Sequence, residues 1–252
     1  MWPVKEKRGE QMKAFAATDI GKVRQMNQDY FNVSEEANYT LYVLADGMGG
    51  YTGGEIASKL ATECVVDYIK ENFDSTGKKK EEILEFIRST MDFANNVVFD
   101  KAKHEMNLGQ MGTTLEICLI YNNRAYIGHI GDSRIYRIRK DIIRKLTTDH
   151  SYVQKLVKDG TITKEEADHH PKKNMLMKAL GCEPTIEPDV MVKGFLKDDI
   201  ILICSDGLTN MVSEQNIYDV IKNDFENATK KLINLANKNG GYDNITVITI
   251  KN

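Results

Sequence analysis

The sequence predicts an α+β fold, in which antiparallel sheets pack together and pairs of helices cover their outer faces. The first observation is that three apolar segments, 113–120, 124–130 and 134–139, are separated by very short turns. Turns of this length join antiparallel strands. The second observation is that the helical segments occur in pairs after groups of strands, rather than alternating with single strands. This order favours an α+β fold.

Eight segments are predicted to be strands, because they are short and rich in β-branched and aromatic residues. They are 13–18, 28–33, 40–45, 113–120, 124–130, 134–139, 199–204 and 245–250. The fourth, fifth and sixth of these are joined by the short turns described above. They are therefore predicted to be neighbours in one sheet.

Four segments are predicted to be helices, because apolar residues recur in them at three- and four-residue spacing. The segments are 54–72, 80–106, 213–223 and 225–239, and the last ends at Gly240-Gly241. The first helix is predicted to bury a stripe made of Ile56, Leu60, Cys64, Tyr68 and Ile69. The second is predicted to bury Ile83, Ile87, Met91, Ala94, Val97 and Val98.

We expect one domain over residues 12–252, since the length is within single-domain range. Residues 1–11 lack an apolar signal-peptide core and are predicted to be a short leader or a segment introduced for expression. Residues 147–181 are polar, helical and short-looped, and we interpret them as a surface subdomain inserted between core strands.

Composition argues against several classes of protein. A formal net charge of −3 and a pI near 6.0 do not favour a nucleic-acid partner. No apolar run approaches the ~18 residues that a membrane span needs. The four cysteines show no C-x-x-C spacing and three lie in apolar segments, which indicates free thiols in a reducing compartment. We therefore expect a cytoplasmic protein without a membrane span.

Four aspartates lie at the ends of predicted strands: Asp46, Asp132, Asp206 and Asp243. Each has a glycine or an asparagine beside it, and such residues let the backbone turn sharply. An Asp-Gly pair alone is a common turn former, but the joint placement of four suits a site for a hard cation. They can converge only if the strands that carry them lie side by side.

Oxygen ligands of this kind select Mg²⁺ or Mn²⁺, whereas Zn²⁺ would call for cysteine and histidine. Histidine is scarce, and His169 and His170 are adjacent, so their side chains point in different directions. Two hard cations can lower the pKa of a shared water and hold a phosphate oxygen during in-line attack. The sequence therefore predicts a metal-dependent enzyme.

Eight short motifs follow one another along the chain. They are Arg24-x-x-x-x-Asp29, Ala45-Asp46-Gly47-Met48-Gly49-Gly50, Met111-Gly112-Thr113-Thr114, Gly131-Asp132-Ser133-Arg134, Leu146-Thr147-Thr148-Asp149-His150-Ser151, Lys178-Ala179-Leu180-Gly181, Ser205-Asp206-Gly207-Leu208 and Asp243-Asn244-Ile245-Thr246. This ordered set resembles the bacterial metal-dependent serine/threonine protein phosphatases of the protein phosphatase 2C-like, or PPM, family. The resemblance extends from Met12 to the end of the chain, and eight motifs in order are highly specific.

The resemblance implies a set of metal ligands. Asp46 would bridge two Mn²⁺ or Mg²⁺ ions, and the carbonyl of Gly47 would bind the second ion. Asp206 and Asp243 would complete the shell of the first ion. Asp132 would help to bind a third, weaker ion together with Asp206.

The resemblance also implies a reaction and its setting. Arg24 would hold the substrate phosphate with its planar guanidinium, Asp29 would act on the ions through water, and Asn244 would support the ligands from behind. A hydroxide that bridges the ions would attack phosphoserine or phosphothreonine directly. The implied fold is a central antiparallel β-sandwich flanked by helix pairs, a four-layer α-β-β-α arrangement, with residues 147–181 as a mobile flap. The implied partners of this presumed monomer are phosphorylated proteins and a bacterial serine/threonine kinase as its counterpart.

Two positions depart from the family pattern. Many eukaryotic relatives have a histidine, proposed as the general acid, where this chain has Met48, and methionine cannot donate a proton. The proton for the leaving group must then come from another group. The flap carries Lys172 and Lys173 where arginine is frequent.

Other interpretations remain open at this point. Cys118 and Arg124 have the C-x₅-R spacing of cysteine-dependent tyrosine phosphatases, although Cys118 lies inside a predicted strand. His150 between an aspartate and a serine is reminiscent of a serine triad, but no G-x-S-x-G elbow is present. A catalytically weak relative that binds phosphoproteins would be expected to lack metal aspartates. A metal-dependent nuclease would be expected to carry a basic patch.

Overall fold

The computed structural model describes residues 12–49, 53–104 and 111–252, and over them the chain forms eleven strands and seven helices. The strands are β1 (Lys13–Asp19), β2 (Asp29–Glu35), β3 (Thr40–Gly49), β4 (Met111–Thr113), β5 (Leu115–Tyr121), β6 (Arg124–Ile130), β7 (Arg134–Arg139), β8 (Ile142–Lys145), β9 (Asp189–Gly194), β10 (Ile200–Cys204) and β11 (Ile245–Lys251). The helices are α1 (Gly53–Asn72), α2 (Lys80–His104), α3 (Tyr152–Lys158), α4 (Lys164–Asp168), α5 (Asp206–Thr209), α6 (Glu214–Asn223) and α7 (Ala228–Lys238). The predicted leader, residues 1–11, and the predicted end of the second helix at 105–106 lie outside the described residues.

Two antiparallel sheets form the centre of the molecule. One has the strand order β1-β11-β10-β7-β8, and the other has the order β2-β3-β5-β6-β9 with β4 paired to β3. Apolar side chains from both sheets meet between them, among them Tyr42 and Leu44 on β3 and Ile201 and Ile203 on β10. This shared core makes the two sheets a β-sandwich.

Each sheet carries helices on its outer face. Helices α1 and α2 share a core with the β3–β5 side that includes Val65 and Ile117. Helices α6 and α7 share a second core with the other sheet that includes Leu232 and Val247. The predicted four-layer α-β-β-α arrangement is confirmed. No helix of the described residues is long and apolar enough to cross a bilayer.

All eight predicted strands are present, and three further strands were not predicted. The predicted pairing of the short-turn strands holds for β5 and β6 but is wrong for β7, which lies in the other sheet between β10 and β8. The short connection after β6, where Gly131 has a φ of +114°, leads the chain from one sheet to the other instead of closing a hairpin. β4 is only three residues long. β8 and β9 lie at sheet edges, and their side chains are half-buried or exposed. An edge strand that is covered incompletely does not need the continuous apolar run by which the central strands were identified.

The face that α1 buries differs from the prediction. Of the predicted stripe only Ile69 is fully buried, and the other four residues are partly buried beside the core. The fully buried face also includes Ala57, Ala61 and Val65. The predicted stripe borders α2 instead. Tyr68 of this stripe stacks on Phe93 of α2, with 4.8 Å between the ring centroids. Small residues line the buried face because α1 is covered on more than one side.

The flap, residues 147–181, lies between β8 and β9 and contains α3 and α4. Ser151 caps α3 with its side chain, and Thr163 opens a capping box at α4. Two backbone hydrogen bonds between Thr113 and Leu180, at 3.0 and 2.9 Å, tie the end of the flap to β4. The segment contains two short helices and is anchored next to the strand ends that carry the aspartates.

Candidate metal centre and active site

Asp29 and Asp46 face each other across the pair β2–β3, where they are direct register partners. Asp46 lies where β3 changes its partner from β5 to β4. Its backbone N–H donates to Thr114 Oγ1 at 3.0 Å, and its carbonyl accepts from Thr114 N at 2.9 Å. These two bonds fix the position of the aspartate.

Asp206 and Asp243 come from the other sheet. Asp206 begins α5 shortly after β10, and Asp243 lies just before β11, the neighbour of β10. Ser205 Oγ donates to Asp29 Oδ2 at 2.7 Å, which joins the two sheets at this edge. The structure therefore brings carboxylates from distant parts of the sequence to one edge of the sandwich.

The pKa values of Asp46, Asp206 and Asp29 are raised at this edge. Burial is the largest cause of the rise at Asp46, and the charges of Asp29, Asp206, Asp132 and Asp243 add to it. Burial, followed by the charges of neighbouring carboxylates, also raises the pKa of Asp206 to about 6 and that of Asp29 to about 7. A cluster whose members resist ionisation together is stabilised by a bound cation.

Among the residues that the structure describes, two buried carboxylate oxygens at this edge have no hydrogen-bond partner. They are Oδ1 of Asp29 and Oδ1 of Asp206, and both are buried. An unpaired buried carboxylate oxygen is costly, and a cation would satisfy it. The donors that converge here are carboxylate oxygens, the ligands that suit Mg²⁺ and Mn²⁺. The residues present therefore fit a hard-cation site.

The carboxylates do not form a ready-made cage. In the three described stretches of chain, no group of three acidic, histidine or cysteine side chains is arranged to hold a metal ion. Asp243 Oδ2 accepts from Arg24 Nη2 at 2.8 Å, and Asp206 Oδ2 accepts from Asn210 Nδ2 at 3.0 Å. Asp206 keeps its other oxygen without a partner, whereas a cation that binds Oδ2 of Asp243 must displace the Arg24 guanidinium.

Gly47 lies where two backbone segments approach each other closely. A Cβ at this position would be 2.0 Å from the Gly54 carbonyl oxygen and 2.7 Å from that of Gln28. The N–H of Gly47 also donates to Gln28 O at 3.0 Å. Only glycine fits here, and the packing alone explains the residue. The predicted role of its carbonyl as a ligand is compatible with this position.

Arg24 lies in the field of three carboxylates. The hydrogen bond that Arg24 donates to Asp243 is the largest cause of the raised pKa of the guanidinium; burial opposes the rise, and the charges of Asp243, Asp46 and Asp206 add to it. The side chain is 51% exposed, so the guanidinium is open to a ligand from solvent. The structure thus brings Arg24 to the predicted metal ligands.

Asn244 holds the loop that carries Arg24. Its side-chain Oδ1 accepts from Gln28 N at 2.9 Å, and its Nδ2 donates to the carbonyls of Ile20 and Met26, each at 2.9 Å. The residue is buried. It positions the loop, and it contributes no side-chain oxygen that is left over for an ion.

Asp132 follows β6 and lines a cleft of about 700 Å³ that lies between the flap and the start of α6. Asp206 lines the same cleft. Burial is the main cause that raises the pKa of Asp132 to about 8, and the charge of Asp206 is next. The two predicted ligands of a third ion therefore lie together, on the flap side of the carboxylate cluster.

Arg134 forms an ion pair with Asp149. Its Nη2 donates to Asp149 Oδ2 at 2.7 Å, and Lys145 Nζ donates to Asp149 Oδ1 at 3.0 Å. Burial acts to raise the pKa of Asp149, but the charge and hydrogen bonds of Arg134 outweigh it, and the pKa falls. This network holds the base of the flap against β7.

Met48 lies on the other side of the centre. It lines a second groove, of about 450 Å³, together with the flap residues Met177 and Ala179. Its methyl group lies beside Gly112, where a Cβ would approach it to 3.0 Å. The side chain packs against β4 and the flap, and its thioether offers no proton.

Some residues at the site were not predicted. Ser205 and Asn210 donate directly to carboxylates of the cluster. Asn210 follows Asp206 by one helical turn, and that spacing is the signal that could have identified it. A buried pair, Glu116 and His129, was also missed; Oε1 and Nδ1 are 2.5 Å apart, and Nε2 of the imidazole is 2.9 Å from the flap carbonyl of Thr148.

The tyrosine-phosphatase interpretation is wrong. Cys118 is fully buried inside β5, and burial raises the pKa of its thiol far above the ordinary range. The five residues between it and Arg124 form the end of β5 and the hairpin turn, so they cannot encircle a phosphate.

Comparisons with known proteins identify relatives over almost the whole chain. The sequence profile described as protein phosphatase 2C matches residues 21–246. The serine/threonine phosphatase stp of Listeria monocytogenes is 39% identical over 243 residues, which cover 95% of this chain and 96% of that protein. The solved S. agalactiae serine/threonine phosphatase has a TM-score of 0.87 at 36% identity and covers 95% of this chain and 99% of its own. The catalytic domain of the phosphatase PstP was solved in complex with two manganese ions. It has a TM-score of 0.82 at 33% identity, and the match covers 95% of this chain and 97% of the PstP chain.

Proposed function

Because the chain belongs to the protein phosphatase 2C family, we propose that it hydrolyses phosphoserine and phosphothreonine in proteins with the help of divalent metal ions. The observation that carries the proposal is the convergence of Asp46, Asp206 and Asp243 with Arg24 at one edge of the sandwich. Carboxylates that can hold hard cations and a guanidinium that can hold phosphate are the two parts that metal-assisted phosphoester hydrolysis needs.

We assign two core ions, Mn²⁺ or Mg²⁺, to Asp46, Asp206, Asp243 and the carbonyl of Gly47. A third, weaker ion is assigned to Asp132 and Asp206 at the cleft. The unpaired carboxylate oxygens of the cluster support these assignments, as does the relative that was solved with two manganese ions. When bound, such ions lower the pKa of water and neutralise the charge of the phosphate.

The protein's own residues bind and orient the substrate. Arg24 holds the phosphate, and Asn244 keeps the Arg24 loop in place through three hydrogen bonds. Asp29 accepts from Ser205 and leaves its other oxygen free for a bound water. Met48 cannot protonate the leaving alkoxide, so we assign control of that proton to Asp132 in the cleft.

The cellular setting of the proposal is a reducing cytoplasm and a bacterial serine/threonine kinase as the counterpart of a monomeric enzyme. Among the described residues the four cysteines are free thiols, which supports a reducing compartment. The family of the chain supports the kinase counterpart.

Hydrolysis of a phosphothreonine peptide with added Mn²⁺ and with excess chelator tests the proposal. We expect turnover with Mn²⁺ and none after chelation. The matched control is Cys118→Ser, which should keep full activity because the buried thiol takes no part. Binding of the peptide without hydrolysis at any metal concentration would instead favour a catalytically weak phosphoprotein-binding protein. Loss of activity in the cysteine variant would contradict the mechanism.

A further inference from the structure

Two exposed apolar side chains adjoin the predicted phosphate-binding residue and a predicted metal ligand. Val23 is 59% exposed and precedes Arg24, and Tyr242 is 63% exposed and precedes Asp243. Single exposed apolar residues are common on protein surfaces. Two of them beside the carboxylate cluster and Arg24 require an explanation.

Two contacts between loops bring Val23 and Tyr242 to the same place. The N–H of Lys22 donates to the carbonyl of Gly241 at 2.8 Å. The second contact is the ion pair of the residues that directly follow Val23 and Tyr242. In it, Nη2 of Arg24 donates to Oδ2 of Asp243, also at 2.8 Å. Val23 and Tyr242 are therefore the residues between two cross-loop contacts, one on each loop. We call this pair the apolar shelf.

The ring of Tyr242 is positioned by the backbone beside it. Gly240 has a φ of +135°, and a Cβ at this position would be 2.6 Å from Cε2 of Tyr242. The ring thus lies against a position that only glycine can occupy. The ring therefore lies on the Gly240 backbone while most of the residue faces solvent, where it is open to contact with another molecule.

We propose that the apolar shelf binds an apolar side chain of the phosphoprotein substrate, one or two residues from the phosphorylated residue. The proposal rests on the function proposed above, in which Arg24 holds the phosphate. An extended peptide advances about 3.5 Å per residue. When Arg24 holds the phosphate, the residues that flank the phosphorylated residue therefore pass over the surface adjacent to Arg24. The apolar shelf occupies such a position on both loops. Tyr242 and Val23 would then determine specificity without taking part in the chemistry.

The test uses phosphothreonine peptides that carry either leucine or serine at each position from two before to two after the phosphorylated residue. For the wild-type enzyme with Mn²⁺, we expect leucine at one of these positions to raise kcat/KM about fivefold to tenfold, as partial burial of one apolar side chain on an open surface allows. Tyr242→Ala should remove this preference. The ratio of kcat/KM for the leucine peptide to kcat/KM for p-nitrophenyl phosphate should be about fivefold or more lower in Tyr242→Ala than in the wild type.

Two controls separate the contact from a structural effect. Tyr242→Phe keeps the ring and should keep the preference for leucine. Leu196→Ala removes another apolar side chain, which is 53% exposed. Leu196 lies near the turn between β5 and β6, because the neighbouring Phe195 donates its N–H to the carbonyl of Asn123 in that turn. That turn lies at the opposite end of β6, about 20 Å from the strand end near Asp132. This variant should also keep the preference.

Several outcomes would overturn the proposal. They are a wild-type enzyme that is indifferent to flanking leucine, a Tyr242→Ala variant that retains the preference, and a variant that loses p-nitrophenyl phosphate and peptide hydrolysis equally. A wild-type dimer that Tyr242→Ala converts to a monomer would assign the apolar shelf to a second copy of the chain and would also overturn it. If the wild type hydrolyses neither substrate with Mn²⁺, the proposed function fails as well. An active but indifferent enzyme refutes the apolar shelf alone.

Discussion

Replacement of Arg24 by alanine is expected to weaken substrate binding and to leave metal binding intact. The guanidinium is half exposed, and its partner in the structure is Asp243. A charge-assisted hydrogen bond to phosphate contributes about 1.5–3 kcal/mol. Loss of one such contact corresponds to a rise in KM of about 10- to 150-fold. Arg24→Lys keeps the charge but loses the planar fork, so its KM should be intermediate.

The metal sites should respond differently to the same change. Arg24 occupies Oδ2 of Asp243, an oxygen that a cation would use. Removal of the guanidinium therefore should leave the affinity for Mn²⁺ unchanged or make it higher. Steady-state kinetics on a phosphothreonine peptide and calorimetric titration with Mn²⁺ measure the two effects separately. A variant that no longer binds Mn²⁺, or one with an unchanged KM, would refute the role assigned to Arg24.

Three further changes are expected to have distinct effects. Asp132→Ala should slow hydrolysis of a phosphopeptide at least about tenfold more than that of p-nitrophenyl phosphate, whose leaving group needs little protonation; equal losses would remove Asp132 from control of the leaving-group proton. Burial acts to lower the pKa of His129, but the charge and hydrogen bond of Glu116 outweigh it and raise the pKa to about 9. The charged imidazole thus stabilises the fold fully below its ordinary pKa of 6.5, and this contribution is lost as the pH rises through about 9. The free energy of unfolding in urea should therefore fall by on the order of 3 kcal/mol between about pH 6.5 and pH 9, and Glu116→Gln should flatten the fall; an equally steep fall in the variant would contradict the pairing. Asn244→Ala should lower the free energy of unfolding by about 2–4 kcal/mol, because it leaves one N–H and two carbonyls without their partner; a loss below about 0.5 kcal/mol would show that the loop does not depend on this side chain.

The central strands were predictable because their side chains are covered on both faces. The segments from 113 to 139 are apolar runs, and they form β5, β6 and β7 of the structure. Their pairing was predicted only in part, because the turn between β5 and β6 closes a hairpin whereas the equally short connection before β7 leads into the other sheet. The strands β8 and β9 were missed because an edge strand can leave half of its side chains exposed. The buried face of α1 was misjudged for a related reason. A helix that packs on a sheet and on a second helix has no single apolar stripe.

The convergence of the aspartates was predictable in outline, because each of the four stands at a strand end beside a residue that permits a sharp turn. The hydrogen-bond donors of these carboxylates were not predictable in the same way. Ser205 and Asn210 contact Asp29 and Asp206 because they lie directly before and after the short helix α5. The pair of Glu116 and His129 could have been predicted. The two residues are register partners in the hairpin of β5 and β6, whose short turn was identified from the sequence.

The central claim is that the carboxylate cluster around Asp46 holds the ions on which catalysis depends. Titration of Mn²⁺ by calorimetry, with hydrolysis of a phosphothreonine peptide followed in the same samples, tests it most directly. A suitable control is Asp74→Asn, which changes an exposed aspartate between α1 and α2. We predict that activity rises with the occupancy of two sites, that Asp46→Asn loses both binding and turnover, and that Asp74→Asn behaves like the wild type. Full activity after exhaustive chelation, or an Asp46→Asn variant that binds and hydrolyses normally, would contradict the account.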